Sequence, residues 1–238
     1  MKGTFGLNTC IDTTSCLSAN MDFYIVDREH GRASFTEASS LLNAISKSCQ
    51  KFVRVSQCDR VEIQRTLELR PDGILVPQIS SFDDASKAIS YSFFPPLGSR
   101  GVSPYTKAFG FHHDNLANKK AELNSSLKLG LLIEGQPGFN ALPEILDKLG
   151  EDIEFVYFGL FDFASSQGFE PNWQDEKLSL LLTKFVQLAK NAGVAVGTIA
   201  KNQKDIETLE ALGVEYIVFL NDLGLIHEAV SQLWNRDF

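Results

Sequence analysis

The chain has 238 residues, 44% of them hydrophobic and 22% charged, with a formal net charge of −8. That length can fill one large core or two small ones, and no basic block offers a footprint for nucleic acid or an anionic membrane surface. No window approaches the ~18 apolar residues of a membrane span, and the amino terminus "MKGTFGLNTCIDTT" has no long apolar stretch, so the expectation is a cytoplasmic protein.

Short β-branched or aromatic runs mark eight strands in order: 4–8, 23–27, 52–56, 73–77, 129–134, 155–160, 194–199 and 216–220. Several are apolar on both faces, as in a parallel sheet covered by helices. Helical spacing lies between them. In "FTEASSLLNAISKS" the positions Ala38, Leu41, Leu42 and Ile45 recur three or four apart. "VEIQRTLELRPDG" runs to Pro71, and the basic segment "NKKAELNSSLK" (118–128) reads as a solvated helix face. Leu178, Leu181, Leu182, Phe185, Val186 and Leu188 form the strongest stripe, stopped at Gly193, and "NQKDIETLEALGV" stops at Gly213. Eight strands alternating with helices predict an α/β fold, a (β/α)8 TIM barrel forming a single domain over 1–238. A doubly wound open sheet is the alternative, but it more often carries an early glycine fingerprint, and none is present. The long connection 78–128 exceeds ordinary loops and is expected to hold a helix and a functional excursion; "FFPPLGSRG" within it cannot be helical.

Cys10, Cys16, Cys49 and Cys58 lack CxxC spacing and are expected to be free thiols, with core packing preferred over a Cys10–Cys16 redox pair. His112 and His113 are neighbours whose side chains diverge, and His227 falls on an amphipathic terminal helix; all three read as surface residues. Tyr105, Phe169 and Trp173 read as packing aromatics, with pocket lining the alternative. The serines of "FGLFDFASSQG" lack GxSxG spacing.

A barrel builds its active site at the carboxyl ends of the strands. Those ends carry Asp27, Glu29 and His30 after the second strand, Arg54 in the third, Glu134 closing the fifth and Asp162 after the sixth. Glu134 and Asp162 come from adjacent strands, so their carboxylates can converge on a hard divalent cation. His30 suits a general base, with Asp27 or Glu29 setting its tautomer. Arg54 supplies a fixed cation where an oxyanion develops, and Gly159 permits close approach of a ligand. Each residue alone has a plainer reading, as a turn residue, a salt-bridge half or a cap; their gathering at one end of the strands argues for an enzyme.

The succession "DREHG", "VRV", "GILVPQISSFDDASKAI", "FFPPLGSRG", "LLIEGQPGFNALPEIL" and "YFGLFDFASSQG" resembles the HpcH/HpaI class II aldolase family, within the 2-oxo acid aldolase/citrate lyase β superfamily. The resemblance runs from about residue 20 to the carboxyl terminus. It implies a metal-dependent carbon–carbon lyase that cleaves or forms a bond of a 2-oxo acid, with the pyruvate enolate as nucleophile and an aldehyde as acceptor. By position, Glu134 and Asp162 match metal ligands for Mg²⁺ or Mn²⁺, with Co²⁺ or Zn²⁺ as alternatives. Arg54 matches the enolate-stabilising arginine, His30 with Asp27 the base dyad, and the amides of Gly159, Leu160 and Phe161 the carboxylate cradle. Arg100 matches a loop arginine with a structural or entrance-lining role. The resemblance also implies a homo-oligomer, a hexamer built from paired subunits that exchange carboxyl-terminal helices; "LIHEAVSQLWNRDF" is such an arm or else closes its own barrel. "GQPG" after Glu134 and Leu160 and Phe163 beside Asp162 depart from the usual family pattern and alter the pocket wall. The alternatives are a barrel that binds a 2-oxo acid without turnover, and a lyase acting on a larger acyl-CoA-type substrate.

Overall fold

A computed structural model describes residues 1–234. Its strands are β1 (Lys2–Gly6), β2 (Phe23–Asp27), β3 (Gln50–Arg54), β4 (Gly73–Val76), β5 (Lys128–Ile133), β6 (Phe155–Phe158), β7 (Ala195–Ala200) and β8 (Tyr216–Asn221). All pair in parallel with their sequence neighbours, and β8 pairs with β1 to close the barrel. The helices are α1 (Ile11–Ser18), α2 (Phe35–Ala44), α3 (Arg60–Glu68), α4 (Phe82–Ser92), α5 (Leu116–Ser126), α6 (Gln136–Leu149), α7 (Leu160–Gln167), α8 (Glu176–Asn191), α9 (Gln203–Leu212) and α10 (Asp222–Trp234). The (β/α)8 barrel is the architecture expected from the alternation of strand and helix patterns.

Local chemistry sets the helix starts. Ser34 opens α2 with a capping box shared with Glu37, and Asp59 and Asp175 cap α3 and α8 through their carboxylates. The α8 stripe buries Leu178, Leu182, Phe185 and Val186 against the sheet, and Gly193 follows in the left-handed conformation that ends the helix. The strand expected at 52–56 begins earlier, because the Gln50 amide donates to the Asp22 carbonyl and draws two polar residues into the ladder. Hydrophobicity does not register such positions, since backbone pairing is indifferent to the side chain.

The lower barrel is filled by aromatic rings from β3, β6 and β8. Phe155 and Tyr216 stack with centroids 4.4 Å apart, and Phe52 meets both edge-on. Gly73 and Gly130 make room for this layer: a Cβ on either would stand 2.4 or 2.3 Å from the ring of Phe52 or Phe155. This packed floor closes the barrel interior below the carboxyl-terminal ends of the strands.

The long connection between β4 and β5 holds α4, a 3-10 turn at Lys107–Phe109 and α5, with the "FFPPLGSRG" stretch irregular as expected and a cis bond between Pro95 and Pro96. "GQPG" opens α6, with Pro137 in its first turn. All four cysteines are free, but Cys10 and Cys16 are exposed, which corrects their expected core packing; the short, weakly amphipathic α1 turns that side to solvent. Residues 235–238 of the carboxyl-terminal arm lie outside the described residues.

Candidate active site

A cavity of about 360 Å³ opens at the carboxyl end of the barrel. Its wall contains Asp27, His30, Arg54, Glu134, Gly159, Leu160, Phe161 and Asp162, so the strand-end residues singled out from the sequence, Glu29 excepted, share one space. A larger, open groove of about 760 Å³ lies at the opposite end, near Pro96, Lys120 and Glu154, and gathers no comparable set of groups.

Parallel register sets the first pair. Asp27 and Arg54 end adjacent strands as direct neighbours. Arg54 Nε donates to Asp27 Oδ1 at 2.9 Å and Nη2 to Oδ2 at 2.6 Å, a bidentate clamp on a fully buried carboxylate. Arg54 Nη1 stands 3.1 Å from Glu29 Oε2, and the guanidinium lies over the Phe5 ring at 4.4 Å. Burial works against its charge, but the Asp27 and Glu29 carboxylates outweigh burial and hold Arg54 more firmly protonated than usual.

Asp27 Oδ1 also accepts from the amides of Glu29 and His30, at 3.0 and 3.4 Å, and so shapes the turn after β2. Its carboxylate therefore faces Arg54 and this turn rather than the His30 ring. The ring projects into solvent at the cavity rim, with Nε2 3.9 Å from Glu29 Oε2. Of the two carboxylates considered as its partner, Glu29 is the nearer in this geometry.

Glu134 sits just past β5. Burial pushes its carboxyl up to about 7; the nearby charges of Glu29 and Asp162 add to this, while the Gln78 amide and Arg54 oppose it. Gln78 is a contributor that the sequence patterns do not mark. It adopts a left-handed conformation (φ 60°), which turns its amide onto Glu134 Oε2 at 2.8 Å while its side-chain Nε2 reaches Glu29 Oε1 at 3.1 Å. Strain of this kind at a strand end persists where the surroundings over-determine it. Its only signal in the sequence is a polar residue directly after the Val-Pro that closes a buried strand.

Gly159 lets Glu134 approach: a Cβ there would stand 2.8 Å from Glu134 Cγ. Its own amide donates to the Ile133 carbonyl at 2.9 Å, so it is not free for a ligand. The first-turn amides of α7, from Leu160 and Phe161, have no side-chain cap, and both residues line the cavity, a setting that suits an anionic group. Asp162 lies in the same first turn and is exposed.

Among the described residues no group of three or more His, Cys, Asp or Glu is gathered as a metal site. Glu134 and Asp162 nonetheless fit a hard divalent cation: both are oxygen donors lining one cavity, and a cation would offset the burial, and the lesser repulsion from Glu29, that raise the Glu134 carboxyl. Arg100, by contrast, lies away from the cavity, buried over the Phe94 ring at 4.5 Å with Nη2 3.6 Å from Glu68 Oε1, which supports the structural of its two expected roles. Trp173 is packed, with Nε1 donating to the Ile199 carbonyl at 2.8 Å. Tyr105, His112, His113 and His227 are exposed.

The HpcH/HpaI aldolase/citrate lyase family matches residues 8–227 of the chain. The chain is 25% identical over 232 residues to 4-hydroxy-2-oxo-heptane-1,7-dioate aldolase of Shigella flexneri, covering 97% of this chain and 86% of that protein. It is 24% identical over 238 residues to 2-keto-3-deoxy-L-rhamnonate aldolase of Escherichia coli O157:H7, covering 97% and 88%. The crystal structure of a family protein from Burkholderia cenocepacia J2315 superposes with a TM-score of 0.91 at 22% identity, covering 99% of this chain and 93% of that one.

Proposed function

As the chain belongs to the HpcH/HpaI aldolase/citrate lyase family, we propose that it is a divalent-metal-dependent aldolase, cleaving or forming a carbon–carbon bond of a 2-oxo acid with a pyruvate-type enolate as the nucleophile half. The observation that carries this reading is the meeting of Glu134, Asp162, the Arg54–Asp27 clamp and the α7 amino terminus in one cavity.

Glu134 and Asp162 would hold the cation, Mg²⁺ or Mn²⁺ suiting two carboxylates best. Held by these two residues, such a cation would supply Lewis acidity to the 2-oxo acid. The amides of Leu160 and Phe161 bind the substrate carboxylate at the positive end of α7. Arg54, locked by Asp27, presents its charge where the C2 oxygen becomes negative, so no reorganisation is needed as charge develops. In the cleavage direction His30 removes the proton of the C4 hydroxyl. The C3–C4 bond then breaks, its electron pair enters the C2–C3 enolate, the aldehyde departs and a proton returns to C3. Phe5, Leu160 and Phe161 shield the reacting carbons from water.

Among the described residues no helix is long and apolar enough to cross a membrane. The reading places the protein in the cytoplasm, with small-molecule substrates and a homo-oligomeric assembly.

Exchange of the pyruvate methyl protons in D₂O, followed by NMR, tests the reading without knowledge of the aldehyde. We expect exchange that requires a divalent cation and falls at least about 100-fold in Arg54→Ala. Absence of exchange by the unsubstituted protein with any divalent cation, although it binds pyruvate, would turn the reading toward a barrel without turnover.

A further inference from the structure

Tyr157 is the third residue of β6 and projects into the barrel beneath the cavity. Its ring meets Phe5 edge-on at 6.0 Å, and the residue is 3% exposed. The hydroxyl is fully buried and has no hydrogen-bond partner in the protein. Buried hydroxyls are almost always satisfied, because an unmade hydrogen bond leaves the full desolvation cost in place. Other unpartnered hydroxyls of the described residues, on Thr14, Thr66 and Ser231, stand outside the cavity, whereas Tyr157 lines it.

The charged groups that act on this phenol are Arg54, which the aldolase reading sets at the substrate's C2 oxygen, and Glu134, which in that reading would hold the cation. Burial, opposed by Arg54 and reinforced by Glu134, raises the phenol well above its ordinary ionisation, so it serves as a donor and not as a base. Tyr157 lies within β6, whereas the carboxylate cradle is the first turn of α7 that follows the strand, so the phenol is the deeper of the two. A 2-oxo acid whose carboxylate rests on the α7 amides extends its C2 oxygen inward, toward Arg54 and Tyr157.

We propose that the Tyr157 hydroxyl donates a hydrogen bond to the C2 oxygen of the bound 2-oxo acid and is a further catalytic residue beside Arg54, an inference that rests on the aldolase reading. The phenol keeps its own proton, and the proton released from C3 in the exchange reaction passes to a base of the site and not to Tyr157. As the C3–H or C3–C4 bond breaks, its electron pair moves into the C2–C3 bond and the C2 oxygen takes the negative charge. The bond from Tyr157 strengthens at that moment, so it lowers the barrier more than it tightens ground-state binding. An uncharged donor also adds stabilisation without a second buried cation beside Arg54.

Tyr157→Phe removes one unpartnered oxygen and keeps the ring packing, so its melting temperature is expected to equal or exceed that of the unsubstituted protein. Metal-dependent exchange of the pyruvate methyl protons in D₂O should fall about 10- to 100-fold, while pyruvate affinity changes by less than about threefold. Exchange within about twofold of the unsubstituted rate overturns the proposal, as does a rate loss matched by an equal loss of folded protein. Absence of exchange in the unsubstituted protein overturns the aldolase reading itself and this inference with it.

Discussion

Glu134 concentrates the electrostatic tension of the site. Its carboxyl is pushed from the ordinary value of 4.5 up to about 7, chiefly by burial, so the folded protein holds a proton that the unfolded chain has already released. The folded state then binds more protons than the unfolded state between these two values, and stability falls as pH rises through that window. Without metal, unfolding by urea should show a loss on the order of 1–2 kcal/mol from pH 4.5 to 7.5, discounted for partial exposure, and Glu134→Gln should abolish that part of the slope. Added Mg²⁺ or Mn²⁺ competes for the deprotonated carboxylate, so metal stabilisation should grow with pH through the same window and be lost in the variant. A pH profile identical in the two proteins would contradict the assignment. At this scale Arg54, Glu134 and Asp162 were legible as charges at strand ends. Gln78 was not, because its contribution comes from a left-handed backbone and an amide, neither of which its side-chain type announces.

Between elements, closure of the barrel depends on the junction of β8 and α10. Asp222 is fully buried, and its carboxylate accepts from the amides of Leu7 and Asn8 at 3.0 and 3.1 Å and from the Tyr24 hydroxyl at 3.1 Å. It thereby ties the last strand to the turn after the first, where β1 and β8 already pair. Asp222→Ala would leave these donors buried without an acceptor and should cost about 2–4 kcal/mol in urea unfolding. Because Leu7 lines the cavity, the same change should loosen the site wall on that side. The strands and helices themselves follow from periodicity and caps, as the Ser34–Glu37 box and the α8 stripe illustrate. The role of Asp222 does not, since "NDLG" reads only as a turn before a helix.

At the scale of the whole molecule, α10 leaves an apolar side uncovered. Leu223, Ile226 and Val230 are each nearly half exposed, and Leu233 and Trp234 are more so. A face of this kind on an otherwise acidic protein fits burial against a second copy of the chain. We expect the protein to sediment as an oligomer, and a double substitution Ile226→Glu and Val230→Glu to reduce its mass by light scattering while the barrel keeps its circular dichroism. A monomeric unsubstituted protein would remove oligomer assembly from the functional reading.

Taken by itself, the order of residues determined the eight-fold alternation and which charged groups stand at the carboxyl ends of the strands. It did so because strand and helix periodicities, caps and strand-end polarity are local properties. Tertiary structure decided which of those groups touch. Parallel register sets Asp27 against Arg54 and turns it from the His30 ring, and the absence of a Cβ at Gly159 draws Glu134 close. Closure of the barrel seals the Tyr157 hydroxyl beneath the cavity without a partner. These are contacts between segments tens of residues apart, and spacing along the chain does not encode the distances across a closed barrel.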